Sequence, residues 1–340
     1  MRKVDVIDYS RGIIDMIISR TPLRIILAGG GTDLRPFYQR EGGAGLAFTI
    51  NKYVYIIANK RFYPSIKLAY SQIEVVDDIN LIQHRLFREA LKLVGITSGI
   101  EISAIADIPA GSGLGSSSSF TVGLLNTLYA YKGISRNASQ LAEEACEIEI
   151  EILGEPIGKQ DQYIAAFGGL RFFEFHPNGE VNIEEIQASP DTKRELEHNF
   201  LLFYTGKVRL PSEILSAQDA VMKKGDNYIY EMLRKTKDSA FKMRNALEKG
   251  QIDEVGYLLH TAWKLRQTQS DLYNDPFIDE LYSITIREGA LGGKVLGAAG
   301  GVLLIYCPPE KHRNVRNALA KLGLIEIDFM LEPYGSRFIV

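Results

Sequence analysis

The stretch IPAGSGLGSSSSF, residues 108–120, constrains this chain more than any other. It sets three glycines and four consecutive serines between IEISAIA, whose apolar residues predict a strand, and SSSFTVGLLNTLYAYKG, which predicts a helix. Phe120, Leu124 and Leu128 recur four apart along that helix, and Gly133 supplies a stop just past it. Glycine lets the backbone approach a ligand closely, and the free N–H groups at a helix start, aided by the helix dipole, offer donors and partial positive charge. Physically this is a phosphate cradle. Serine hydroxyls add donors, and one of them can serve as an oxygen ligand for Mg²⁺ brought by a nucleotide. A flexible Gly/Ser linker would be longer and would not dock directly onto an apolar-periodic helix. The dinucleotide fingerprint G-x-G-x-x-G fails, because Gly111, Gly113 and Gly115 are spaced two apart, and no GK[ST] completes a P-loop.

The rest of the chain limits where such a cradle can sit. With 340 residues, 46% of them hydrophobic, the chain is long enough for two cores. A net charge of -3 without a long basic run argues against a nucleic-acid partner, so any anion is met locally. No apolar run approaches the roughly 20 residues that cross a bilayer, and charged residues interrupt MRKVDVIDYSRGIIDMIISR, so neither a membrane partner nor a signal peptide is expected and the location predicted is cytoplasmic. Cys146 and Cys307 lack CxxC spacing and read as small buried hydrophobes. LRIILA, YVYIIAN, IKLAYS, LRFFEF and VNIEEI predict further strands in the first half. From about Pro190 long amphipathic segments take over, and the final third alternates helix and strand as a small α+β layer. The division expected is therefore 1–190 and 191–340. Seventeen tyrosines suit a homo-oligomer and equally suit ordinary cores and cleft walls.

Three more segments carry chemistry. In RTPLRIILAGGGTDL a strand runs into Gly29, Gly30 and Gly31, then Thr32 and Asp33; the aspartate suits a sugar hydroxyl, and the same residues suit an Asx-type turn. GALGGKVLGAAGGVLLIY reads as a glycine-rich turn, with Gly297 and Gly300, just ahead of an apolar strand. In LAEEACEIEIEILGEPIGKQDQY, a wheel at 100° per residue puts Ala142, Ala145, Cys146, Ile152 and Leu153 within about 60° of Glu149. Glu143, Glu144, Glu147 and Glu151 fall on the opposite, solvated side. A carboxylate centred on an apolar face must be paired or coordinated, which makes Glu149 a metal ligand or an ion-pair partner. The polar run GKQDQY then reads either as a solvated loop or as a site where Asp161 positions a hydroxyl and Lys159 meets a phosphate.

Taken in order, TPLRIILAGGGTDL, PAGSGLGSSSS, GKQDQY and GGKVLGAAGG make the chain resemble the GHMP kinase superfamily over essentially its whole length. The forms AGGGTDL and GKQDQ resemble its heptose 7-phosphate kinase and fucokinase-like branch. That resemblance implies an α+β fold with a ribosomal-protein-S5-like N-terminal domain, a ferredoxin-like C-terminal domain and an active site between them. It implies ATP, Mg²⁺ and a sugar phosphate substrate, with the phosphoryl group passing to the anomeric hydroxyl of D-glycero-D-manno-heptose 7-phosphate on the way to nucleotide-activated heptose. On the matching motifs, Pro109, Gly111, Ser112, Gly113, Leu114, Gly115, Ser116, Ser117 and Ser118 would wrap the triphosphate, and Ser117 and Glu149 would hold Mg²⁺. Asp161 matches the family's catalytic aspartate and Arg24 the arginine of its first motif. Gly30, Gly31, Thr32, Asp33, Gln160, Gly297 and Gly300 would meet the sugar, and Lys159 and Arg209 its 7-phosphate. The third motif departs from the family's GAGGGG, with Ala299 at a central glycine and Val302 closing the run. Two other readings remain beside this one: a fucokinase-like kinase of an unphosphorylated sugar, and a non-catalytic sugar and ATP sensor, against which the presence of Arg24, Glu149 and Asp161 together speaks. A nicotinamide-dependent oxidoreductase is disfavoured by the loop spacing.

Overall fold

The computed structural model describes residues 16–206, 227–268, 275–297 and 301–339. In chain order the elements are Met16–Ala28 (β1), Arg35–Glu41 (α1), Gly43–Lys60 (β2), Ile66–Ala69 (β3), Ile73–Val76 (β4), Arg85–Val94 (α2), Ile100–Ala106 (β5), Ser116–Tyr131 (α3), Ala138–Cys146 (α4), Gln160–Phe167 (α5), Leu170–Phe175 (β6) and Val181–Glu185 (β7). They continue with Pro190–Asn199 (α6), Phe200–Tyr204 (β8), Asn227–Glu248 (α7), Ile252–Gln267 (α8), Pro276–Arg287 (α9), Gly292–Leu296 (β9), Val302–Tyr306 (β10), His312–Ala320 (α10), Ile325–Glu326 (β11) and Arg337–Phe338 (β12).

Two long strands organise the first sheet. β1 and β2 pair antiparallel from Met16 opposite Asn59 to Ala28 opposite Leu46, with register shifts after Pro22 and Ile26. β2 begins well before YVYIIAN, because GAGLAFTI is buried at every position and reads as a two-sided buried strand rather than an alternating one. The sheet order is β12-β1-β2-β5-β3-β4, with β6 and then β7 added along the other part of β2. A second sheet runs β11-β8-β10-β9. The chain's last strand pairs with β1, at Ser19 opposite Phe338, so the first sheet contains both ends of the described chain.

The helix that follows the serine run is buried at nearly every position from Ser118 to Ala130, which leaves its apolar stripe weaker than its burial. It lies across β1 and β2, with its polar side chains satisfied internally: Ser119 Oγ donates to the Pro22 carbonyl at 2.8 Å, and Ser19 Oγ meets Thr127 Oγ1 at 2.6 Å. These bonds fix the helix start over β1 and hence the glycine loop over Arg24, whose N–H donates to the Leu114 carbonyl at 3.0 Å.

One sequence expectation changes here. GGKVL is a strand, not a turn, and its glycines answer to packing: a Cβ on Gly292 would collide with the Gly256 carbonyl of α8, and one on Gly293 with Leu304 of β10. β10 divides its side chains between two cores, with Val302, Leu304 and Tyr306 in the main one and Leu303 and Ile305 in an outer one beside Leu281 and Leu319. Cys146 and Cys307 are free thiols, both buried. No helix among the described residues is long and apolar enough to cross a membrane.

Candidate active site

Gly111, Gly113 and Gly115 adopt φ values of +79°, +88° and +77°, the left-handed region where a side chain is disfavoured. Gly115 caps α3 without a side-chain bond, so the first-turn N–H groups stay open toward the cavity beneath the loop. Ser116 Oγ is buried there without a partner among the described residues. These orphaned donors fit an anion. Gly111, Gly113, Gly115 and Ser116 to Ser118 line this first cavity together with Arg24, Glu149 and Asp161. A Cβ at Gly113 would fall on the Leu296 carbonyl at the end of β9. Gly113→Ala therefore displaces the loop at a cost of about 1–3 kcal/mol, and steady-state kinetics should show the KM for ATP raised about tenfold or more.

The chain between α4 and α5 winds through a π-helical turn, Glu147–Ile152. The wider turn rotates residues away from a 100° wheel: Ile152, expected on the apolar face, is 47% exposed, while Ile148 is buried. Glu149 stays inside at 1% exposure, accepting a hydrogen bond from Ser117 Oγ at 2.9 Å. Burial pushes its carboxyl up to about 7, against the hydroxyls and amide of Ser117, Thr121 and Gln162 and with help from the Asp161 charge. No ion pair reaches it among the described residues, which removes the buried salt bridge as its explanation. A hydroxyl and a carboxylate at the rim of an anion cavity form the hard-oxygen donor set that Mg²⁺ takes, completed by phosphate oxygens and water.

Asp161 stands in the first turn of α5. Arg24 grips it bidentately, Nε donating to Oδ1 at 2.7 Å and Nη2 to Oδ2, while Nη1 donates to the Gly113 carbonyl. One guanidinium thus ties β1, the glycine loop and α5 together. Asp33 accepts from the Gln160 N–H at 3.0 Å and the Gly31 N–H at 3.2 Å. Burial above all, and the Asp161 charge with it, push the Asp33 carboxyl up to about 6. Gly158 leaves the room for that carboxylate, since a Cβ there would overlap it.

A second cavity opens on the far side of the Arg24–Asp161 pair. Gly29, Gly30, Gly31, Asp33 and Gln160 line it from the first sheet, and Trp263, Arg266 and Lys294 from the other side. The two cavities share Arg24, Ile157, Asp161 and Gly297. Three expected contacts fall elsewhere. Thr32 spends its hydroxyl on the Gly29 and Ala44 carbonyls, at 2.8 Å each, so it shapes the turn. Lys159 turns its amine to the Gly179 carbonyl, 2.8 Å, and the Tyr38 ring, lining neither cavity. Pro109 is exposed and Leu114 is core; with Ser112 they shape the loop rather than line the cavity. Arg209, Ala299 and Gly300 lie outside the described residues. Lys294, Arg266 and Trp263 were not singled out from sequence; the only signal was a lysine set between glycines and the strand residues VL.

The family model for the GHMP kinases N terminal domain matches residues 80–169, spanning the glycine loop, Glu149 and Asp161. The D-glycero-α-D-manno-heptose 7-phosphate kinase of Campylobacter jejuni is 30% identical over 337 residues, 94% of this chain and 98% of that one. The chain is a GHMP kinase. As a sugar kinase of this family it is a phosphotransferase that uses ATP and an alcohol acceptor. The crystal structure of a D-glycero-D-manno-heptose 1-phosphate kinase from Bacteroides thetaiotaomicron superposes on this GHMP kinase with a TM-score of 0.80 at 26% identity, covering 95% of this chain and 99% of that one. The L-fucokinase/L-fucose-1-P guanylyltransferase of Bacteroides fragilis is 26% identical over 340 residues, 89% of this chain but 36% of that longer protein.

Proposed function

We propose that this GHMP kinase transfers the γ-phosphoryl group of ATP to the anomeric hydroxyl of D-glycero-D-manno-heptose 7-phosphate, giving the 1,7-bisphosphate. The observation that carries the reading is the position of Asp161 on the wall shared by two cavities, one built for a triphosphate and one lined by the first glycine motif. The heptose phosphate acceptors in the names of the Campylobacter and Bacteroides relatives support the choice of substrate.

In this reading the loop donors and the start of α3 hold the triphosphate, and Ser117 and Glu149 would hold Mg²⁺. The metal would offset charge on the phosphates. Asp33 and the glycines before it accept and position sugar hydroxyls. Asp161 takes the proton of the attacking hydroxyl as its oxygen bonds to the γ-phosphorus, while the bond to the β-phosphate oxygen breaks and ADP leaves. Arg24 holds that carboxylate ionised and aimed, and offsets charge on the group in transit.

A coupled ADP-release assay tests this with Mg-ATP against heptose 7-phosphate, mannose, fucose and galactose, with phosphorus NMR locating the product phosphate. Turnover on heptose 7-phosphate with a new C1 phosphate signal is expected. Preference for an unphosphorylated sugar would move the enzyme to a fucokinase-like reaction, and silence on every sugar would overturn the reading.

A further inference from the structure

Strand β9 alternates its side chains between two environments. Val295 faces the outer core and Leu296 the main core, so Lys294, beside Val295 and opposite Leu304 on β10, faces the main-core side. It is 9% exposed, and its ammonium makes no hydrogen bond or ion pair among the described residues. An isolated buried cation is costly to keep. Its surroundings add to the cost: burial, then Arg266 from α8 and Arg24 from β1, press its amine down to about 7. The two carboxylates of the same cavity, Asp33 and Asp161, are held by other groups, Asp33 by backbone N–H groups and Asp161 by Arg24. A leucine or methionine would suit this position better if folding were the only demand on it.

What is missing is an anion. Lys294 lines the second cavity and not the one under the glycine loop, so a triphosphate seated on the loop does not supply it. Arg266 lines the same cavity, anchored by a bond from Nη2 to the Gly297 carbonyl at 2.8 Å, and adds positive field.

We propose that Lys294, supported by Arg266, binds the phosphate group that the acceptor itself carries into the second cavity, and that this contact selects a phosphorylated sugar over a free one. The proposal rests on the reading of the second cavity as the acceptor site. It places the substrate phosphate on β9 and α8 rather than on Lys159, whose amine is engaged elsewhere.

Lys294→Met and Lys294→Gln test it. Removing an unpaired buried cation should leave the melting temperature of the ligand-free enzyme equal or higher, which separates loss of binding from loss of fold. A charge-assisted bond of about 1.5–3 kcal/mol predicts that kcat/KM for heptose 7-phosphate relative to unphosphorylated heptose falls by about thirtyfold in both variants. The loss should fall on the KM for the sugar phosphate. An unchanged ratio would overturn the proposal. So would a loss confined to kcat, which would assign Lys294 to the phosphoryl group in transit. Calorimetry with inorganic phosphate, on enzyme saturated with Mg²⁺ and a non-hydrolysable ATP analogue, keeps the site separate from the choice of sugar. Phosphate should bind the native enzyme and not the variants. If the native enzyme ignores heptose 7-phosphate yet binds phosphate through Lys294, the substrate reading fails and the anion site stands; equal phosphate binding by native enzyme and variants would overturn the site.

Discussion

Asp161→Asn lowers kcat by at least about a hundredfold while leaving the KM for ATP within about threefold, because a positioned base of this kind contributes about 10²–10⁴ in rate. Asparagine keeps the size of the side chain and one oxygen for Arg24, so the change removes charge and basicity with little change of shape. The glycine loop should hold its place, since Arg24 also donates to the Gly113 carbonyl and its own N–H to Leu114. Triphosphate binding therefore survives. What is lost is the acceptor of the hydroxyl proton and the carboxylate that balances the guanidinium at the junction of the two cavities. Single-turnover measurement by rapid quench isolates the chemical step from ADP release. A hundredfold slower burst at saturating ATP is the expected result; a burst within a fewfold of normal would reduce Asp161 to a support for Arg24.

The site was legible in the sequence wherever chemistry depends on residues close together in the chain. The glycine loop and the start of α3 could be read because a backbone cradle is local, and the left-handed φ values at Gly111, Gly113 and Gly115 are what such a loop demands. Glu149 could be read because a carboxylate on an apolar arc is anomalous at any helical pitch, although the π turn made the predicted arc wrong at Ile152. Contacts across the fold were not legible. Lys159 sits two residues from Asp161, yet a side chain of that length is free to choose its direction, and it chose Gly179. Lys294 acquires meaning only when β9 pairs with β10 and α8 closes over it, a juxtaposition set by long-range packing. The pairing of β12 with β1 was equally out of reach, since two residues of strand carry almost no periodic signal.

Glu149→Gln separates the cost of this site from its use. A carboxyl whose folded value is raised from 4.5 to about 7 contributes stability that is complete below the lower figure and lost as pH rises through the upper one. Above pH 7 the ligand-free enzyme therefore carries a burial penalty of about 3 kcal/mol at this residue. Glutamine removes the charge and keeps an oxygen for Ser117 Oγ, but its amide group faces donors at Thr121 and Gln162, so only part of the penalty is recovered, about 1–2 kcal/mol. The melting temperature of the variant at pH 8 should exceed that of the native enzyme by about 2–5 °C, and the gap should close at pH 5.5, where the native carboxyl is already protonated. The Mg²⁺ concentration for half-maximal rate should rise by at least about tenfold in the same variant. A more stable enzyme with a poorer response to metal identifies a carboxylate kept buried for a cation it holds only during turnover. A variant that is less stable at pH 8 with an unchanged metal requirement would instead make Glu149 a structural acceptor for the serines of α3.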